Sequence, residues 1–326
     1  MPQPSIAYAC GRVGVLRRSA LSRAQLDRLM SAKGYEDARR TLSDIGFAPA
    51  DQADFQTAAD LHVRKACELI RAVTPDPATT DCFLLRYDVH NLKTILKSRH
   101  LAQKPQFLSA CGTIDPEKLR HCVADRTYAP LPAELKQAME ALEKAVAVHF
   151  DPMSVDAKLD QAMYRQIFAN LGNRRNAELA RTYFRAKVDL QNLIMLLRGK
   201  AMGKDATFFA EIALSGGNVD VKAYVSAFAE NDRLARRLRR YGADVYQAAL
   251  AAAVDPAKLP YLEKVADDYL YGLFRARQYD SASIALLIAF LLQKQREATD
   301  VRLIMAGKLN SFAPEAVNER VRELNG

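Results

Sequence analysis

Asp189-Leu-Gln-Asn-Leu-Ile-Met-Leu-Leu-Arg-Gly-Lys200 aligns without a gap with Asp88-Val-His-Asn-Leu-Lys-Thr-Ile-Leu-Lys-Ser-Arg99 and with Glu297-Ala-Thr-Asp-Val-Arg-Leu-Ile-Met-Ala-Gly-Lys308. In each segment an acid comes first (Asp88, Asp189, Glu297), Asn or Asp follows three residues later (Asn91, Asn192, Asp300), and a base closes (Arg99, Lys200, Lys308). Residues three and four apart share one side of a helix, so the acid and the amide stand one above the other. Leu92, Ile95 and Leu96 in one copy, and Leu193, Leu196 and Leu197 in another, continue that side as an apolar stripe that faces a core. The bases fall in the last helical turn, where exposed carbonyls favour a cation, and Gly199 and Gly307 just before them read as terminators. Each segment is therefore expected to be one helix with a common end.

Working outward, the copies lie 101 and then 108 residues apart. That period is far above the few tens of residues of a solenoid link, so each copy is expected to be a small helical bundle. Fainter echoes follow the first two copies in Cys111-Gly-Thr-Ile-Asp-Pro-Glu-Lys-Leu119 and Gly216-Gly-Asn-Val-Asp-Val-Lys-Ala-Tyr224, each a glycine turn leading to a helix-starting Asp. Asp115 before Pro116 is a good cap, and Ser22 with Gln25 three residues later reads as a capping box near the N-terminus. The predicted partition is three homologous bundles over 1–102, 103–205 and 206–326, with linkers at Gln103–Gln106 and Gly203–Thr207. A proline-flanked helix from Glu134 to His149 interrupts the second.

Composition agrees with an all-α chain. Of 326 residues 49% are hydrophobic, and only 14 Gly and 13 Pro punctuate them; β-branched runs are scarce, which favours helix over strand. The longest apolar stretch, Ile284 to Leu292, is far shorter than the ~20 residues a membrane helix needs. The first twelve residues show no basic start, apolar core and cleavage site, so no secretory signal is expected and a cytosolic protein is. Cys10, Cys67, Cys82, Cys111 and Cys122 form no CxxC pair and read as small thiols outside any disulfide framework.

Candidate chemistry is sparse. Gly199-Lys200-Ala201 and Gly203-Lys204-Asp205 lack the hydroxyl and preceding strand of a phosphate-binding loop. The five histidines, His62, His90, His100, His121 and His149, make no metal-ligand pattern; His90 is replaced by Gln191 and Thr299 in the sister copies. Asp88 and Asp189 have no recurring partner acid or base, so a bracing role against a neighbouring segment outweighs general base catalysis. No catalytic, cofactor-binding or metal residue is assigned, and no small-molecule substrate.

The net charge of +9 suits an acidic partner. Its densest source is Arg233-Leu-Ala-Arg-Arg-Leu-Arg-Arg240, where Leu234 and Leu238 are one turn apart and Arg233, Arg236, Arg237, Arg239 and Arg240 form a basic face. A solvated helix face is the plain reading of such a run; an acidic protein surface comes next, then lipid headgroups or nucleic acid. No nucleic-acid-binding motif accompanies it, so a basic helical nucleic-acid-binding protein and an unrelated helical scaffold are the alternatives, with nucleic acid not expected.

The repeats, with Tyr8-Ala-Cys-Gly-Arg-Val13, Leu21 to Gly46, Tyr87 to Lys97, Val188 to Arg198 and the tail Gln293-Lys-Gln-Arg-Glu-Ala-Thr-Asp-Val-Arg-Leu-Ile-Met-Ala-Gly-Lys-Leu-Asn310, resemble the C subunit of the V/A-type ATPases, related to the d subunit of eukaryotic V-ATPases. The likeness runs over nearly the whole chain. The family usually has glutamate at Gln295, a large aliphatic at Ala298, asparagine at Asp300, and alanine and arginine at Gly11 and Gly14, which marks this chain as divergent. The resemblance implies a funnel of three bundles with pseudo-threefold symmetry and a non-catalytic central-stalk role. It also implies a position between the D and F subunits of the shaft and the proteolipid rotor ring, with possible lipid-headgroup contact, in ATP-linked proton or sodium transport. The protein would then be cytoplasmic and peripheral to the inner membrane.

Overall fold

The computed structural model describes residues 4–48, 54–280, 282–322 and 324. Among them there are sixteen α-helices, four short 3-10 turns and no strand, so the all-α expectation holds. In chain order they are α1 (Ile6–Leu16), α2 (Arg23–Ser31), α3 (Tyr35–Asp44), α4 (Phe55–Val73) and α5 (Pro77–His100). Then come α6 (Pro116–Ala124), α7 (Ala133–Val148), α8 (Pro152–Leu171), α9 (Glu178–Ala201) and α10 (Ala206–Ile212). The last six are α11 (Val221–Ser226), α12 (Asn231–Arg237), α13 (Ala243–Val254), α14 (Leu259–Arg275), α15 (Ala285–Leu309) and α16 (Pro314–Asn318).

The capping signals read from sequence are in place. Ser22 and Gln25 form the reciprocal capping box of α2, Asp115 accepts from the amides of Glu117 and Lys118 with Pro116 at the first helical position, and Asp220 accepts from Lys222. Each such cap satisfies a backbone donor that would otherwise be orphaned, worth about 1 kcal/mol.

The three motif segments close helices α5, α9 and α15, of 24, 24 and 25 residues, and each helix ends one residue past its base. The terminator is not the one expected. Gly199 and Gly307 lie inside their helices and are buried; a Cβ on Gly307 would come 2.7 Å from Val317 Cγ2, so this glycine lets α16 approach. Termination falls three residues past each base, where Ala102, Gly203 and Ser311 take φ of 51°, 70° and 54°. In each the next amide reaches back to the carbonyl just before the base: Gln103 to Ser98 at 2.8 Å, Lys204 to Gly199 at 2.9 Å, and Phe312 to Gly307 at 2.9 Å. This is the left-handed helix stop that glycine best accommodates. Two copies place Ala and Ser there against a steric cost of about 1 kcal/mol. Ala102→Gly is accordingly expected to raise stability by about 0.5–1 kcal/mol, read as a higher urea midpoint at unchanged slope; a lower midpoint would refute the strain.

The chain divides into two compact units, Met1–Pro77 with Glu263–Gly326, and Ala78–Leu262. In the first, α15 runs along α4 and is surrounded further by α1, α2, α3 and α16. That placement buries most of it: Ile288, Leu291, Val301 and Met305 are buried, and so are the charged Lys294, Arg296, Glu297 and Asp300, while Gln295, Thr299, Arg302 and Ala306 form a partly exposed edge. In the second, α7 pairs with α8, α8 contacts α9 and α10, and α12 pairs with α13. Helix α5 is tied to α8 by Lys93–Asp160 and Lys97–Asp156, both at 2.6 Å, and to α7 by Arg99–Glu143 at 2.7 Å. Phe83 of α5 meets Tyr183 and Phe184 of α9 with ring centroids 5.2 and 4.8 Å apart. All five cysteines are buried and none forms a disulfide.

No helix among the described residues is long and apolar enough to cross a membrane.

Candidate functional site

The acid and the amide of the motif do one job in the first two copies. Asp88 is fully buried; its Oδ2 accepts from the Thr113 amide at 2.8 Å and its hydroxyl at 2.7 Å, and its Oδ1 from the Ile114 amide at 3.0 Å. Asp189, also fully buried, accepts from the amides of Asn218 at 2.9 Å and Val219 at 3.1 Å and from the Tyr241 hydroxyl. Successive amides converging on a carboxylate form a small anion nest at the turn that leads into the next helix. One turn further along, Asn91 exchanges two bonds with the backbone of Ser109, both at 2.8 Å, and Asn192 does the same with Leu214, both at 2.8 Å. In each of these copies the acid and the amide thus clasp a motif helix to the segment that follows it.

The clasp needs glycine at one place. A Cβ on Gly112 would fall 2.8 Å from Asp88 Cγ, and one on Gly217 would fall 2.9 Å from Asp189 Cγ, closer than real Cβ atoms approach. Both glycines stand three residues before their helix-capping Asp, Asp115 and Asp220. That fixed spacing is visible in the sequence; what it serves is not. Burial pushes the Asp189 carboxyl above the ordinary range, and the bonds from Tyr241, Val219 and Asn218 and the charge of Arg240 draw it back.

The third copy is built differently. Glu297 holds the place of Asp88 and Asp189, but its Oε2 is met by His62 Nε2 of α4 at 2.8 Å and Lys294 Nζ at 2.9 Å. His62, one of the scattered histidines, therefore belongs to the clasp; it stacks on Phe47 with centroids 4.4 Å apart. Asp300 accepts from the Arg322 amide at 3.1 Å through Oδ1 only. The closing bases reach out of their own helices: Arg99 to Glu143 and the Val123 carbonyl, Lys200 to the Phe228 carbonyl at 2.7 Å and Asn231 Oδ1 at 2.6 Å, and Lys308 to the Met30 and Ala32 carbonyls at 2.6 Å. They pin the helix end to a neighbour, where the sequence had them serving their own last turn.

The arginine run is not one helical face. Helix α12 stops at Arg237, Leu238 has φ −95° and ψ 3°, and a 3-10 turn carries Arg239–Tyr241. Leu234 and Leu238 are buried as expected. Arg233 pairs with Glu230 at 3.1 Å and Arg236 with Asp232 at 3.5 Å, both exposed; such pairs contribute about 0–1 kcal/mol and leave the cations available. Arg239 lies over the Tyr246 ring, 4.5 Å from its centroid. Arg240 is exposed, and Arg237 is half-buried with its Nε lacking a hydrogen-bond partner. The break at Leu238 splits the run into two short exposed groups.

Three helices braced by buried polar clasps inside an all-helical repeat define a structural protein whose polar interior serves its own rigidity. Residues 9–320 match the ATP synthase (C/AC39) subunit family, and the chain belongs to that family, which supplies a non-catalytic stalk subunit of the rotary ATPase. It is similar to the C subunit of the V-type sodium ATPase of Enterococcus hirae, 24% identical over 277 residues that cover 83% of each chain. It is similar also to the C subunit of the A-type ATP synthase of Thermococcus kodakarensis, 22% identical over 340 residues, 98% of this chain and 90% of the relative. A third relative, the C subunit of the A-type ATP synthase of Methanosarcina mazei, is 24% identical over 253 residues, 73% of this chain and 68% of its own.

Proposed function

We propose that this chain is the central-stalk coupling subunit of a V/A-type rotary ATPase, seated between the D and F subunits of the shaft and the proteolipid rotor ring, on the cytoplasmic side of the inner membrane. Its three bundles, 1–102, 103–205 and 206–326, would form a pseudo-threefold funnel. One observation carries this reading: every motif helix is fastened to residues of the next copy. Asp88 holds Thr113 and Ile114, Asp189 holds Asn218 and Val219, and the third motif helix, α15, lies against α1 to α4 of the first copy. Copies fastened to one another in this way suit a part that must pass torque without shear between its bundles.

Such a coupling requires two interfaces, each of at least the ~1,200–2,000 Å² typical of stable complexes. The exposed arginines of the 233–240 run are the proposed contact for an acidic partner surface or headgroup layer. Reversing Arg233, Arg236, Arg239 and Arg240 to Glu is expected to weaken recovery of the assembled complex, and the deficit against the unaltered chain should shrink as salt rises from about 50 to about 500 mM. Equal recovery at low salt would remove this face from the assembly.

The reading as a whole is tested by affinity purification of the chain from its native membranes in mild detergent, with the co-purifying subunits identified by mass spectrometry. Recovery of ring, shaft and catalytic subunits together is expected. Recovery of nucleic acid, or of none of these subunits, would overturn it.

A further inference from the structure

At the amide position the third copy differs from its sisters by one atom. Asn91 and Asn192 each accept a backbone amide through Oδ1 and donate from Nδ2 to the carbonyl of the same residue. Asp300 sits at the matching position, and Arg322 lies 22 residues beyond it, the same interval as Leu214 from Asn192. Its Oδ1 accepts the Arg322 amide as the asparagines do. Its Oδ2, the counterpart of Nδ2, is buried and has no hydrogen-bond partner. An acid in the place of an amide can complete the pair only when it carries a proton.

We propose that Asp300 is a proton-operated clasp: as the neutral acid its Oδ2–H supplies the second bond to the Arg322 backbone that Asn91 and Asn192 supply to theirs, and on ionisation that bond is lost and the hold on Arg322 loosens. Nothing in this depends on the rotary role; it concerns how one segment of the chain is held.

The surroundings favour the neutral form near neutrality. Asp300 is fully buried, and burial pushes its carboxyl up to about 7, against the pull of the Arg322 amide and of the Arg322 and Arg296 charges, with Asp268 adding to the rise. The cations that would stabilise the anion are shared with other acids. Arg296 pairs with Asp268, and Arg322 pairs with Asp267 at 2.7 Å while standing 3.8 Å from Asp300 Oδ1. From α4, His62 is bound to Glu297 and Asp60 to Arg302. From α2 and α3, Arg28 and Asp44 pair with each other at the surface; α1 brings the exposed Arg12 and α16 the exposed Glu315.

Between the ordinary carboxylate pKa near 4 and about 7, the folded state holds one proton more than the unfolded state, so stability falls as pH rises through that window. Above 7 both states are ionised and this slope ends. The clasp itself opens as pH passes 7, because that is where the folded protein gives up the proton.

The test uses the full chain and its Asp300→Asn and Asp300→Ala variants, with urea denaturation from about pH 4.5 to about 8.5 and hydrogen exchange of the peptide containing Arg322, corrected for intrinsic rates. The unaltered chain is expected to lose up to about tenfold in its folding constant per pH unit between about 4 and 7 relative to Asp300→Asn. Protection of the Arg322 peptide should fall across pH 7 in the unaltered chain and stay constant in Asp300→Asn, whose residue is the one the other copies use. Asp300→Ala, lacking both bonds, should show low protection throughout. Parallel profiles for the unaltered chain and Asp300→Asn would overturn the proposal, and so would unchanged Arg322 protection across the whole pH range in the unaltered chain alone.

Discussion

Asp189→Ala is expected to lower the folding stability by about 3–5 kcal/mol, the largest single loss available in the motif, because each donor left buried without a partner costs about 1–3 kcal/mol. Two backbone amides, of Asn218 and Val219, and the Tyr241 hydroxyl converge on this carboxylate, and nothing else in the site replaces it. Part of the loss is offset, since Ala removes a carboxylate whose burial is itself unfavourable. Asp189→Asn keeps the shape yet turns an N–H towards an N–H donor, so it should fall between the two. Asp88→Ala should cost less, about 2–3 kcal/mol, because Thr113 and Ile114 lie in a partly buried turn that water can reach. The measurement is urea or thermal unfolding followed by helical circular dichroism. A wild-type midpoint in Asp189→Ala, together with failure to couple ATP hydrolysis to ion movement, would transfer this residue from bracing to an interface.

Gly217→Ala is expected to cost about 2–3 kcal/mol by overpacking. Its Cβ would press on Asp189, 2.9 Å from Cγ, and stand 3.1 Å from Val188 Cγ1, so the turn would have to move away from the motif helix and its clasp. The strain has a specific source, and a double-mutant cycle isolates it. In an Asp189→Ala background the carboxylate is gone, and the cost of Gly217→Ala should shrink by at least about 1 kcal/mol, a coupling that residues in contact show and distant ones do not. Strictly additive losses would mean that Gly217 serves the backbone of its turn and leaves the clasp unaffected. Gly112→Ala against Asp88 repeats the same geometry in the first copy and should behave alike.

The residues behind these effects differ in how they show in the sequence. The acids are legible as a repeated position on a helix, and the lack of any repeated catalytic partner argues for bracing. Their partners are not legible. Thr113 lies 25 residues beyond Asp88 and Asn218 lies 29 beyond Asp189, so although the two turns echo each other, they stand in different registers to the acids and nothing local says that they meet them. Gly199 and Gly307 mislead for a related reason. A glycine near a basic residue suggests a helix end locally, whereas Gly307 is there to admit Val317 from another helix. The left-handed stops at Ala102 and Ser311 carry no composition signal at all, since only Gly203 among the three is glycine.

The arginine run shows the limit from the other side. Its leucine spacing predicts one amphipathic helix, and both leucines are buried, but the helix ends after Arg237. Periodicity sees which residues turn inward and cannot see where a short helix is interrupted to meet its neighbours.

By itself the sequence determined the all-helical class, the threefold repetition, the common end of the motif helices, and the caps at Ser22, Asp115 and Asp220. Those features follow from hydrogen bonds and side-chain spacing within a few residues, which a linear pattern records. Only the tertiary structure decided that the acids clasp the segment after them, that His62 and Lys294 take over this task at Glu297, and that Asp300 keeps one bond where its sisters keep two. Those partners are set by which distant segments the packed core brings within hydrogen-bond reach, and burial then fixes their cost, so no local pattern contains them.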